Sequence, residues 1–84
     1  MVLASLQGND VILCQITSQA RSDAYSLALD SPDFTAGGLN QNSSIRPNRL
    51  FTADESIILY RAGHVSAAKL DEVVKRLIGI LRQP

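Results

Sequence analysis

QGNDVILCQIT, residues 7–17, is the stretch on which the fold turns. Gln7-Gly8-Asn9-Asp10 is a tight-turn signal, because Gly and Asn both accept positive φ at low cost. Val11–Ile16 is a run of Val, Ile and Leu, the pattern of a buried strand. Continuous rather than alternating apolarity predicts that both faces are covered, which places this strand centrally in a sheet. Upstream, Val2–Leu6 is a second short apolar segment. The two read as a β-hairpin over residues 2–16.

Working outward, Thr17–Ala24 is polar and reads as a loop. Tyr25–Leu29 alternates and predicts a strand with Tyr25, Leu27 and Leu29 on one face. Asp30–Asp33 is a turn. Thr35–Asn42 (TAGGLNQN) reads as a loop, in which Gly37-Gly38 permits close backbone approach to a ligand. Ser43–Thr52 (SSIRPNRLFT) reads as extended. Pro47 cannot donate to a sheet ladder, so the segment is expected to be an edge strand or to carry a bulge. Ala53–Ser56 is a turn, Ile57–Tyr60 a short strand, and Arg61–His64 closes it.

The C-terminal segment is helical by its periodicity. Leu70, Val73, Val74, Leu77, Ile78 and Leu81 recur at helical spacing and form one apolar stripe. Ser66 is the expected N-cap, with Val65 and Leu70 at the positions of a hydrophobic staple. Lys69, Asp71, Glu72, Lys75 and Arg76 occupy the polar face. Gly79 costs about 1 kcal/mol against Ala inside a helix, which suggests close packing there. The class is mainly β, about five short strands forming a small antiparallel barrel or sheet capped by one helix. The 84 residues are read as a single domain.

A chain of this length buries only roughly 60–65% of the surface its unfolded form exposes. Cys14 is the one cysteine, so no internal disulfide can staple it. His64 is the one histidine, and no zinc-ligand spacing exists, so no metal or cofactor is expected. A 45% hydrophobic content argues against disorder. No apolar run approaches the ~20 residues that span a bilayer. With no export signal read at the N-terminus, a cytoplasmic protein is expected, without membrane attachment. Eight basic residues balance eight acidic ones, which argues against generic DNA coating. The balance is uneven along the chain: residues 46–84 hold seven bases against four acids.

Most chemistry-bearing residues have an ordinary reading. Cys14 sits in an apolar run as a small buried hydrophobe. His64 reads as structural, Asp71-Glu72 as solvated helix surface, and Gly37-Gly38 lacks the helix that a phosphate cradle needs. Two clusters stand apart. Thr17-Ser18-Gln19, at the end of the central strand, can hold a phosphate oxygen or a base edge, or simply bond its own backbone. Arg46-Pro47-Asn48-Arg49 offers guanidinium forks for phosphate, or a charged edge that resists aggregation.

The order of these features resembles the MazF/PemK family of bacterial toxins. The marks are VILCQITSQ (11–19), SPDFTAGGLNQNSSIRPNRLFTAD (31–54) and the helix AAKLDEVVKRLIGIL (67–81). The resemblance implies an SH3-like barrel of the MazF/PemK/CcdB toxin type with a C-terminal helix. It implies a toxin of a type II toxin–antitoxin system: a ribosome-independent, metal-independent, sequence-specific endoribonuclease cleaving single-stranded mRNA. It further implies a homodimer silenced by a cognate antitoxin, MazE-like or other, with DNA contacted only through an antitoxin complex. Thr17 matches the family's catalytic Thr. Ser18 and Gln19 follow it in the RNA groove. Arg46, Asn48 and Arg49 match the second RNA-contacting segment. No cofactor is implied.

Two departures shape the expectation. Asn48 stands where some members carry Asp, and an amide cannot act as a general base. The first strand, the long loop and the catalytic Arg-Pro pair of the family would all precede Met1. The chain therefore resembles the C-terminal two-thirds of the toxin, lacking the first strand or strands, and weak or absent activity is expected of it alone. The alternative is a catalytically degenerate module that binds RNA or antitoxin.

Overall fold

A computed structural model describes residues 1–19 and 23–84. Six strands and one α-helix run in the order β1 (Val2–Ser5), β2 (Asp10–Thr17), β3 (Leu27–Leu29), β4 (Phe34–Gly37), β5 (Ser43–Asp54), β6 (Gly63–Val65) and α1 (Ala67–Leu81). Four strands form an antiparallel sheet in the order β1-β2-β5-β3, and β4 pairs with β6 in a separate ribbon. No helix here is long and apolar enough to cross a membrane.

The hairpin forms as its sequence predicts. Gly8 takes φ +75° in the turn, and Leu6 N–H donates to the Asp10 carbonyl at 2.8 Å. β2 lies between β1 and β5. Val11 and Leu13 are buried on one of its faces and Cys14 on the other, which is why its apolar run does not alternate.

β5 resolves the two readings of Pro47. It lies between β2 and β3 only over Ser43–Ile45; from Arg46 onward β2 alone pairs with it among the described residues, and the proline falls where that pairing is interrupted. Arg46 faces Gln15 and Leu50 faces Cys14, so Pro47, Asn48 and Arg49 are extruded as a bulge. A bulge supplies a position where no ladder N–H is needed, and the proline ring is fully buried there.

The core joins Cys14, Leu27, Leu29, Ile45 and Val73, with Met1, Leu3, Ile16, Phe34 and Val65 against it. Tyr25 lies before β3, and Leu27 and Leu29 alone of the predicted face are buried in the strand. Ser66 caps α1, its hydroxyl accepting from Lys69 N–H at 3.1 Å. Within the helix only Val73 is fully buried, whereas Val74, Ile78 and Leu81 of the predicted stripe remain exposed. The Lys69 ammonium anchors the helix start: it donates to the Ala28 carbonyl at 3.1 Å and to Glu72 at 2.8 Å, and lies 3.6 Å from Asp33. Burial disfavours its charge, but Glu72 and Asp33 outweigh that and raise its pKa.

Three expectations are corrected. Thr35–Asn42 is not all loop, since β4 reaches Gly37 and pairs with β6. Gly37 has φ +65°, and a Cβ there would strike the Ala62 carbonyl; one on Gly63 would strike that of Ala36. These glycines admit a neighbouring strand, not a ligand. Ile57–Tyr60 is no strand. A 3₁₀ turn ends at Ile57, and Leu59 and Tyr60 are 89% and 79% exposed. Gly79 also differs from its reading, because nothing lies within 4 Å of a Cβ placed there.

Candidate nucleic-acid interface

Antiparallel pairing of β2 with β5 builds the site. Thr17 faces Ser44, Gln15 faces Arg46, and Leu13 faces Phe51. Side chains two apart on a strand share a face, about 7 Å apart. Thr17, Gln15 and Leu13 therefore form one file, with Ser44, Arg46 and Phe51 beside it. The bulge lifts Arg49 next to them. Gln15, Arg46, Arg49, Leu50 and Phe51 line an open cleft of about 430 Å³.

Arg46 is the anchored cation of this cleft. Its side chain is only 10% exposed. Nη1 donates to Gln15 Oε1 at 3.0 Å, and Nη2 lies 3.7 Å from Asp23 Oδ2. Among the described residues, Nε–H finds no acceptor. Asp23 is itself fixed. Its Oδ1 accepts from the Tyr25 and Ser26 amides at 2.9 and 2.8 Å. Those backbone donors, followed by the Arg46 charge, hold its carboxyl below the ordinary Asp range. The segment carrying Asp23 is clamped to α1: Arg76 donates to the Ala24 carbonyl at 3.1 Å and the Tyr25 hydroxyl to Gln83 at 3.0 Å.

The remaining sequence candidates fall at different places. Thr17 is half-buried at the end of β2, where its Oγ1 accepts from Gln19 N–H at 3.1 Å. Ser18, Gln19, Asn48 and Arg49 are exposed. Of the predicted contacts, Arg46 and Arg49 line the cleft, while Thr17, Ser18, Gln19 and Asn48 lie outside its lining. Gln15 and Phe51 are cleft residues that sequence reading missed. The signal for Gln15 was there, as the one polar side chain interrupting VILCQI.

Other reactive groups sit elsewhere. Cys14 is in the core, where burial pushes its thiol pKa up and keeps it protonated. His64 lies on β6, and its Nε2 is 2.8 Å from Arg61 Nη1. Arginine can only donate, so this nitrogen accepts and the bond belongs to the neutral ring.

With the bulged β5 and the C-terminal helix in place, one comparison decides the family. A family model described as PemK-like, MazF-like toxin of type II toxin–antitoxin system matches residues 1–81. The chain belongs to that family. No individual curated protein matched it. Membership in a PemK-like toxin family brings an antitoxin partner with it. The fold agrees, being a curled β-sheet with one C-terminal helix. The match takes in β2, the bulge and α1 alike, so every element that shapes the cleft belongs to the shared PemK-like domain.

Proposed function

We propose that this protein is the toxin of a toxin–antitoxin pair and acts on single-stranded RNA as a metal-independent, sequence-specific endoribonuclease. On this reading it is a cytoplasmic homodimer silenced by its antitoxin. The observation that carries the reading is the file of Thr17, Gln15 and Arg46 on one sheet face, continued by Arg49 in an open cleft. Two guanidinium groups there suit the phosphates of an RNA chain.

In the reaction, a ribose 2′-oxygen attacks the adjacent phosphorus. The 2′ proton passes to a base, the bond to the 5′-oxygen breaks, and that oxygen takes a proton. A 2′,3′-cyclic phosphate is left. Arg46 and the Thr17 hydroxyl supply donors for the charge that builds on the phosphoryl oxygens. Ser18, Gln19, Asn48 and Arg49 hold flanking nucleotides. Among the described residues, the cleft lining contains no carboxylate or imidazole to take the 2′ proton, and Asn48 cannot do so.

Without a base in that lining, the reading assigns residues 1–84 weak activity on their own. Met1 bonds Cys14 in both directions at 2.9 Å, which carries the β1–β2 pairing up to the residue before Gln15.

The test is to incubate the purified chain with long single-stranded RNA in EDTA. Salt-sensitive binding with little cleavage is expected. Robust cleavage that Thr17→Ala abolishes would refute the weak-activity assignment, and absence of salt-sensitive binding would refute the RNA reading. A second reading, a degenerate module that binds RNA or antitoxin, draws on the engagement of Arg46 by Asp23. It predicts antitoxin capture without growth arrest, even after an upstream segment ending in Arg-Pro is joined to residue 1.

A further inference from the structure

Phe51 is an aromatic ring in an unusual place. It stands opposite Leu13 on the cleft side of β5 and is 47% exposed. An aromatic side chain offers a large flat apolar area to whatever covers it. The chain has four aromatic residues. Phe34 packs on the core, the Tyr25 hydroxyl is bonded to Gln83, and Tyr60 lies on the loop before β6. Phe51 alone lines the cleft with Arg46 and Arg49.

The chemistry of the cleft is two-sided. Arg46 and Arg49 contribute positive charge and Gln15 an amide. Phe51 and Leu50 contribute an apolar surface. A nucleotide has the same division, a charged phosphate and a flat base. The cleft volume of about 430 Å³ lies within the range of small-ligand sites.

We infer that Phe51 is a base-stacking platform: one nucleobase of a bound single-stranded RNA lies on its ring while Arg46 and Arg49 meet the flanking phosphates. The inference rests on the RNA reading above and adds a specificity-bearing contact to it. Stacking tolerates any base, since every base presents a π face. Gln15, whose Oε1 already accepts from Arg46, keeps its amide N–H₂ to select among base edges.

The experiment measures binding of fluorescein-labelled 2′-O-methyl RNA oligonucleotides, which carry no attacking 2′-hydroxyl, by anisotropy over a range of salt concentrations. A matched oligonucleotide with abasic positions serves as the second probe. Phe51→Ala should weaken binding of the base-bearing probe roughly 5- to 100-fold. It should leave the abasic probe and the salt slope unchanged. Arg49→Ala should instead flatten the slope by about 0.7 for each phosphate that is no longer neutralised. Phe51→Trp should restore affinity, and because the protein has no other tryptophan, its fluorescence should be quenched by the base-bearing probe alone.

Unchanged affinity in Phe51→Ala overturns the inference. So does equal weakening on both probes, which would make the ring a shaping element of the sheet. So does a weakening that tracks dissociation of two copies in sedimentation, which would make Phe51 a subunit contact. If the unaltered protein shows no salt-dependent binding of either probe, the RNA reading itself fails, and the inference with it.

Discussion

Arg46 is the residue at which sequence and structure say most to each other. Its neighbour Pro47 marks an interruption of the ladder, and its charge marks a phosphate contact. Only the fold shows that the guanidinium is buried and already held by Gln15 and Asp23. An anchored arginine offers a pre-set charge rather than a mobile one, because little side-chain freedom remains to be lost on binding. Asp23 gives this arrangement a pH signature. Its pKa is depressed in the folded state, so its contribution to stability is complete above the unfolded-state value near 4 and disappears as pH falls through the lower folded-state value. Asp23→Ala should therefore be less stable than the parent at neutral pH. In urea titrations, the gap should close as the solution is acidified below about pH 4. A gap that persists unchanged at pH 2–3 would show that the carboxylate charge is not what matters.

At the scale of elements, the helix and the ribbon illustrate opposite limits. The helix is encoded locally: the Ser66 cap and the apolar period suffice to start and orient it. What periodicity could not decide is which part of the stripe is covered. The line that includes Leu70, Val73 and Leu77 meets the sheet, and Val74, Ile78 and Leu81 face outward. Gly79 follows from the same orientation. Its Cβ position is open, so Gly79→Ala should stabilise the protein by up to about 1 kcal/mol in thermal or denaturant unfolding. A loss of stability would mean that the end of α1 is packed more tightly than its open surroundings imply. The β4–β6 ribbon, by contrast, rests on glycines that sequence reading took for loop. Gly37 and Gly63 are needed because two backbones meet where a Cβ would collide. That need belongs to the pair and is invisible in either segment alone.

For the whole molecule, one small core carries the fold. Cys14, Leu27, Leu29, Ile45 and Val73 come from β2, β3, β5 and α1. Val73 is the helix's only fully buried side chain. Val73→Ala should cost about 2 kcal/mol and shift one cooperative transition rather than detach the helix alone. Circular dichroism of the helix should lose its signal at the same urea concentration as sheet-based probes, and separate transitions would contradict this. A loss of that size is a large share of the ~4–13 kcal/mol expected for a domain of this length.

Sequence by itself determined the hairpin, the central position of β2, the bulge-or-edge choice at Pro47, the Ser66-capped helix and the family resemblance. Each depends on residues close together in the chain, where turn chemistry, proline geometry and helical period act directly. Tertiary structure alone decided that the start of β5 lies between β2 and β3, that 57–60 stays unpaired, that β4 finds β6, and that Arg46 is buried while Phe51 is not. Those outcomes join residues such as Gln15 and Arg46, 31 positions apart. Their energies arise only once strands align and exclude water between them, so no local pattern can carry them.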